Sequence, residues 1–248
     1  MEDKIILHRG YKGKYPENSK VSFERALQEG KSFETDIRVS KDGVCFMIHD
    51  DDLGRLFNGS GKIKDMTSDE LKKFHYKEDN SQGLCSLKEM CGLIQEYPGE
   101  SLIFIHIKEI KDIDAVVSIL KSSNFDSRIR FFAVDEIEEE FRRIMRGKYP
   151  EYKIGLYLPE SSQNYNKDLF RESDFIWADE ITFKWMTKEK VELAHSLGKL
   201  FYAISPELIP QSIFNTNIEE RWRELLGANV DCICTDLPKE FIEFIKKD

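Results

Sequence analysis

No run of 18 apolar residues occurs in the 248-residue chain. Its clean apolar runs are strand-sized, such as 102–105, so a membrane-spanning helix is excluded. The start also lacks a basic segment followed by a long apolar one: Met1-Glu2-Asp3-Lys4 runs straight into an apolar 5–7, and no secretory signal is expected. Basic charge is scarce, with 37 Lys and Arg against 46 Asp and Glu and a net charge of −9. That balance argues against nucleic acid or an anionic membrane as the main partner. An anionic ligand would need a local basic pocket. Cysteine is sparse and unpaired: the five residues Cys45, Cys85, Cys91, Cys232 and Cys234 form no CxxC. Three of them lie in apolar runs, so they read as reduced core thiols of a cytoplasmic protein. Neither GxGxxG nor GxxxxGK follows the first strand-like run, and no GxSxG elbow is present. The signatures of a dinucleotide fold, a P-loop and a serine hydrolase are therefore all missing.

What is present is alternation. Strand-like runs at 5–8, 33–39, 44–49, 102–108, 129–134, 153–158, 175–178, 200–204 and 232–235 are separated by helix-like stretches. Those stretches cover 19–29, 87–96, 113–122, 136–147, 188–197, 219–226 and 239–247. Such alternation implies parallel strands with helical crossovers, and no Pro/Gly/Ser-rich linker divides the chain. The reading is a single α/β domain over residues 1–248, a TIM-type (β/α)8 barrel rather than a doubly wound sheet. Nine strand candidates are one too many for eight repeats. Ser40-Lys41-Asp42-Gly43 leaves no room for a crossover helix, so 33–39 and 44–49 should form a hairpin. A two-residue loop at Lys41-Asp42 would pair residues whose numbers sum to 83, placing Glu34 opposite His49. Residues 51–83 then form a small insertion after the second strand hairpin, where a lid or substrate collar would sit.

Strand alternation puts Glu34 and Asp36 on one face. Adjacent carboxylates repel unless a cation joins them, which points to a hard divalent ion such as Mg²⁺ or Ca²⁺. His8 and the forked donor Arg9 end the first strand, and His49-Asp50 ends the hairpin. His106 and Lys108 share a parity, so both can point into the barrel mouth, whereas Glu109 points away. Two or three histidines, two carboxylates, an arginine and a lysine at strand ends suit phosphoryl chemistry. His75 and His195, in the insertion and on a helix, read as incidental.

The run His8-Arg9-Gly10, Pro16-Glu17-Asn18-Ser19, Phe23, Ala26, Gly30, Glu34-Thr35-Asp36, Ser40-Lys41-Asp42-Gly43, His49-Asp50, Leu53, Arg55 and Gly61 resembles the glycerophosphodiester phosphodiesterase family. Weaker echoes continue at Lys108 and at Gly227, Val230-Asp231 and Thr235-Asp236 near the end. The resemblance implies a TIM-type barrel and a divalent metal. It also implies hydrolysis of a small glycerophosphodiester to an alcohol and glycerol phosphate. It assigns His8 and His49 to the acid/base pair, Glu34 and Asp36 to the metal, and Arg9 and Lys108 to the phosphate.

Three positions depart from the pattern: His106 stands where the family carries a third acidic ligand, Ile204-Ser205 replaces a Trp-Thr, and Ala133-Val134 replaces a Ser-Phe. As a metal ligand, His106 would admit Mn²⁺ or Zn²⁺ beside Mg²⁺ and Ca²⁺. Two other readings stand beside hydrolysis. One is a lyase that leaves a cyclic phosphate; the other is a non-catalytic barrel that binds phosphodiesters. The expected partner is a small-molecule phosphodiester, with no nucleic acid, no membrane span and no obligate protein partner.

Overall fold

The computed structural model describes residues 4–123, 127–160 and 167–247. The chain forms two compact units, one of Leu7–Arg130 and the other of Met1–Ile6 with Phe131–Asp248.

The short strand β1 (Ile5–Leu7) is buried throughout. Helix α1 (Lys20–Gln28) starts where the Ser19 hydroxyl accepts the Ser22 amide at 3.2 Å, a side-chain N-cap. Its buried face is Ser22, Phe23, Ala26 and Leu27, and Phe23 stacks on Phe33 of β2 (Ser32–Val39) with ring centres 5.1 Å apart. Strand β3 (Cys45–Met47) returns antiparallel to β2. The hairpin register differs from the expected one. Ile37 pairs with Met47 and Val39 with Cys45, so partners sum to 84 and Asp36, not Glu34, lies beside the end of the returning strand. The loop has three residues because Gly43 adopts φ +83° and the Ser40 amide donates to the Val44 carbonyl at 2.9 Å. Glycine tolerates that left-handed bend, and the extra residue shifts every pairing by one.

The insertion at 51–83 has a core of its own. Leu53, Phe57, Ile63, Leu71 and Tyr76 pack with Phe46 and Ile48 of the hairpin, and the Phe57 and Tyr76 rings lie 4.2 Å apart. It carries a 3-10 turn, Ile63–Asp65, and one short α-helix, α2 (Ser68–Leu71), opened by a Thr67/Glu70 capping box. A second capping box, Ser86/Glu89, opens α3 (Leu87–Glu96). Strand β4 (Ile103–Ile107) then pairs parallel to β2, with Phe33 opposite Ile103 and Asp36 opposite His106. Helix α4 (Ile113–Ser123) follows.

Strand β5 (Ile129–Phe132) stands at the division between the units. The second unit continues with α5 (Glu138–Lys148), β6 (Lys153–Leu158), α6 (Lys167–Arg171), β7 (Phe175–Ala178), α7 (Lys188–Ser196), β8 (Leu200–Ile204), α8 (Ile218–Gly227), β9 (Cys232–Thr235) and α9 (Pro238–Lys247). Strands β6 to β9 form an unbroken parallel ladder. Trp222 of α8 packs edge-on against Phe241 of α9 at 4.9 Å. His195, read as incidental, is structural: its Nε2 lies 2.9 Å from Asp231 Oδ2, and that oxygen also accepts the Phe201 amide.

The β2–β3 pairing is antiparallel, whereas β2–β4 and the ladder β6 to β9 are parallel, so β3 accounts for the surplus strand. No helix among them is long and apolar enough to cross a membrane. The five cysteines form no disulfide, and all but the half-buried Cys232 are buried.

Candidate active site

Every candidate residue falls within the unit Leu7–Arg130. Most stand just past a strand rather than inside it. β1 ends at Leu7, β3 at Met47 and β4 at Ile107, so His8, His49 and Lys108 begin the loops that follow.

The first loop is bent sharply. Arg9 and Gly10 have φ of +52° and +75°. A Cβ at Gly10 would come within 2.4 Å of the Ser22 hydroxyl on α1, so only glycine fits. The bend lets the Gly10 amide donate to the Glu34 carbonyl at 3.0 Å, while the Arg9 amide donates to Glu34 Oε2 at 3.1 Å. His8 Nε2 stands 3.8 Å from that same oxygen.

Asp36 is the hub. It is 1 % exposed, yet its two oxygens face four side-chain nitrogens. Lys108 Nζ lies 2.9 Å and His106 Nδ1 3.2 Å from Oδ1; Asn18 Nδ2 lies 3.2 Å and Arg9 Nε 3.3 Å from Oδ2. Burial pushes its carboxyl upward. Lys108, the His106 hydrogen bond, Arg9 and His49 together outweigh that push and hold it well below the carboxylate range. Glu34 behaves oppositely. Burial, and then the neighbouring charge of Asp36, push its carboxyl well above the ordinary range. His106 is pushed down to about 4 by burial and then by Lys108, so its imidazole is neutral.

Glu34, Asp36 and His106 each offer a ligand atom, all within 4.8 Å of one another. Two carboxylates and a neutral imidazole form a donor set for a divalent cation. The raised Glu34 carboxyl fits the same reading, because a buried acid beside a second carboxylate ionises readily only against added positive charge.

His49 is set beyond the hairpin. Its Nδ1 lies 2.8 Å from Asp50 Oδ1. Burial lowers its pKa, with Lys108 and Arg9 acting in the same direction against Asp36. Neutral His49 thus donates from Nδ1 and leaves Nε2 as an acceptor.

Three supporting residues, Asn18, Glu17 and Arg55, carry no role by sequence alone. Asn18, at φ +54°, donates to Asp36 and accepts the Thr35 hydroxyl at 2.8 Å. The buried Glu17 carboxylate takes Arg9 Nη1 at 2.8 Å and both terminal nitrogens of Arg55. Arg55 Nε also donates to Asp50 at 2.5 Å. The Pro16-Glu17-Asn18-Ser19 run and Arg55 were the available signal, but neither their type nor their spacing tells that they meet the hairpin. Glu109, expected to point away, lies 3.7 Å from Arg38 and 2.7 Å from Lys111.

A family model described as the glycerophosphoryl diester phosphodiesterase family matches residues 8–240. The chain is 28% identical over 261 residues to a glycerophosphodiester phosphodiesterase of Bacillus altitudinis, covering 97% of each chain. It is 26% identical over 266 residues to a second, from Caldanaerobacter subterraneus, covering 100% of this chain and 99% of the other. An Oleispira antarctica phosphodiesterase, solved in complex with the product sn-glycerol-3-phosphate, superimposes with a TM-score of 0.78 at 23% identity, covering 98% of this chain and 96% of that one. The fold is the TIM-type (β/α)8 barrel.

Proposed function

The chain belongs to the glycerophosphoryl diester phosphodiesterase family and is a phosphoric diester hydrolase; from that premise we propose that it hydrolyses a small glycerophosphodiester to an alcohol and glycerol phosphate by histidine acid–base catalysis. One observation carries the reading: Lys108, Arg9, His106 and Asn18 converge on the buried Asp36, with Glu34 and two histidines beside it. An acidic protein has here gathered the local positive charge that a phosphodiester needs.

Each residue has a role in this reading. Neutral His49, held at Nδ1 by Asp50, takes a proton at Nε2 from the attacking water, whose oxygen bonds to phosphorus as the bond to the alcohol oxygen breaks. His8 protonates the departing alcohol oxygen. Arg9 and Lys108 hold the phosphate, each 12–13 % exposed in its side chain and therefore poorly screened. Glu34, Asp36 and His106 would hold a divalent ion, whose chemistry would be to offset negative charge on the phosphoryl group. Replacing an acidic ligand by imidazole lowers the ligand charge and moves the preferred ion from Mg²⁺ or Ca²⁺ toward Mn²⁺ or Zn²⁺. The sn-glycerol-3-phosphate held by the Oleispira antarctica enzyme supports a glycerol phosphate product.

In this proposal residues 1–248 are one barrel domain with an insertion at about 51–83. A family match over 8–240 and near-complete coverage of the relatives support that assignment. Mostly buried cysteines outside any disulfide favour a cytoplasmic setting.

The test is turnover of glycerophosphodiesters in Mg²⁺, Ca²⁺, Mn²⁺ or Zn²⁺, followed by phosphorus NMR. Glycerol phosphate as the first product supports the proposal. A cyclic phosphate as the final product means lyase chemistry, and no turnover with any metal means a binding barrel.

A further inference from the structure

Two elements far apart in sequence are tied by one guanidinium. Arg55, in the insertion, places Nη1 3.1 Å and Nη2 2.6 Å from the two oxygens of Glu17, which itself holds Arg9 at 2.8 Å. Its remaining nitrogen, Nε, donates to Asp50 Oδ2 at 2.5 Å, and the other Asp50 oxygen faces His49 Nδ1 at 2.8 Å. The result is an unbroken chain Arg9–Glu17–Arg55–Asp50–His49. Glu17 is 3 % exposed, and its backbone carbonyl accepts the buried Tyr76 hydroxyl at 2.7 Å, so this end of the chain is anchored in the insertion's core.

We propose that Arg55 is a positioning residue: it fixes the Asp50 carboxylate against His49 Nδ1, and so holds His49 in the tautomer that presents Nε2 to the reaction. The inference rests on the acid–base role given to His49 above. Only a planar fork can serve both carboxylates. A lysine at this position keeps the charge but reaches one of them. Without Arg55, Asp50 is no longer held from its far side, and His49 can rotate or change tautomer. Partners that orient a reacting group through one intermediate are typically worth about 10–100-fold.

Arg55 also lines a cavity of about 580 Å³ beside Lys12, Tyr15 and Glu78. A direct contact with substrate there is the competing role, and it would act on KM rather than kcat.

The experiment compares Arg55→Lys, Asp50→Asn and their double variant by kcat, KM and Tm, with nitrogen-15 NMR of the His49 ring as a second readout. Arg55→Lys is expected to keep Tm near the parent and KM within about twofold, while kcat falls roughly 10–100-fold. The His49 ring signals should move from a single Nδ1–H tautomer to a mixture. Asp50→Asn should cost less in the Arg55→Lys background than alone, because both act through one ring. Arg55→Gln is a further variant; if it unfolds, the lysine variant still decides. Full kcat in Arg55→Lys, a pure KM effect, or an unmoved His49 tautomer would overturn the proposal. Activity surviving His49→Ala would instead overturn the functional reading, and the NMR arm separates the two failures because it needs no turnover.

Discussion

Asp36 and His106 are direct partners in the β2–β4 ladder, and the His106 ring nitrogen Nδ1 lies 3.2 Å from Asp36 Oδ1. The contact joins a carboxylate held well below its usual range to an imidazole pushed down to about 4, so His106 is neutral wherever the protein works near pH 7. It can offer a lone pair to a cation, but no charge.

His106→Glu therefore becomes the informative substitution. It restores an all-oxygen donor set and should raise the ratio of Mg²⁺- to Mn²⁺-supported kcat by about tenfold or more. In metal-free buffer the same variant should lose stability, because a third carboxylate joins two that already repel. An unchanged metal ratio takes His106 out of the ligand set.

Removal of the other two ligands should be more drastic. Chelation with EDTA should abolish turnover, and calorimetry on a Glu34→Gln/Asp36→Asn double variant should detect no metal binding. Asp36→Asn alone also strips Lys108 and Arg9 of a buried counter-charge. Breaking a buried pair typically costs about 3–5 kcal/mol, so its Tm should fall clearly. Metal binding that persists in the double variant would place the ion elsewhere.

His8→Ala and His49→Ala should separate catalysis from folding. Both side chains keep solvent contact, 15 % for His8 and 38 % for His49, and neither fills the core. Each change should lower kcat by about 10²–10⁴-fold, with Tm shifted by no more than a few degrees. A variant with near-parent kcat removes that histidine from the mechanism.

Asp112 offers a pH test outside the site. It is 4 % exposed, and its carboxyl is pushed up to about 6, by burial and then by Glu109, against Lys111 and Arg38. A raised acid favours folding in its protonated form. That contribution is complete below the ordinary value of 3.8 and is lost as pH rises through about 6. Asp112→Asn is therefore expected to gain on the parent between pH 4 and 7, by roughly 2 kcal/mol or several degrees in Tm. A Tm difference that stays flat over that range would show that Asp112 keeps a compensating partner.

The hairpin shows where sequence reading stops. Ser40-Lys41-Asp42-Gly43 announced a reversal, but two- and three-residue loops are both compatible with those four residues. The choice lies in Gly43 at φ +83° and in the Ser40–Val44 hydrogen bond. One residue of slip replaced the expected Glu34–His49 pairing by one that sets Asp36 beside the end of the returning strand, and His49 reached Asp36's surroundings from a loop. The insertion was legible as a segment without long helices, but its private core around Phe57 and Tyr76 was not.

Local rules determined a good deal of this protein. Alternation of strand and helix periods gave the barrel, since parallel neighbours need a crossover. Period-two geometry put Glu34 with Asp36 and His106 with Lys108, because successive side chains in a strand take opposite faces. What joins those pairs is not local. The β2–β4 register that sets Asp36 against His106, the bend at Arg9-Gly10 that brings an amide to Glu34, and Arg55 reaching Glu17 all join residues 25 to 70 positions apart. Register between distant strands, and the reach of a long side chain across a loop, are fixed by how the whole set of apolar faces packs. No property of the individual residues encodes them, so only the folded chain turns a list of ionisable groups into one site.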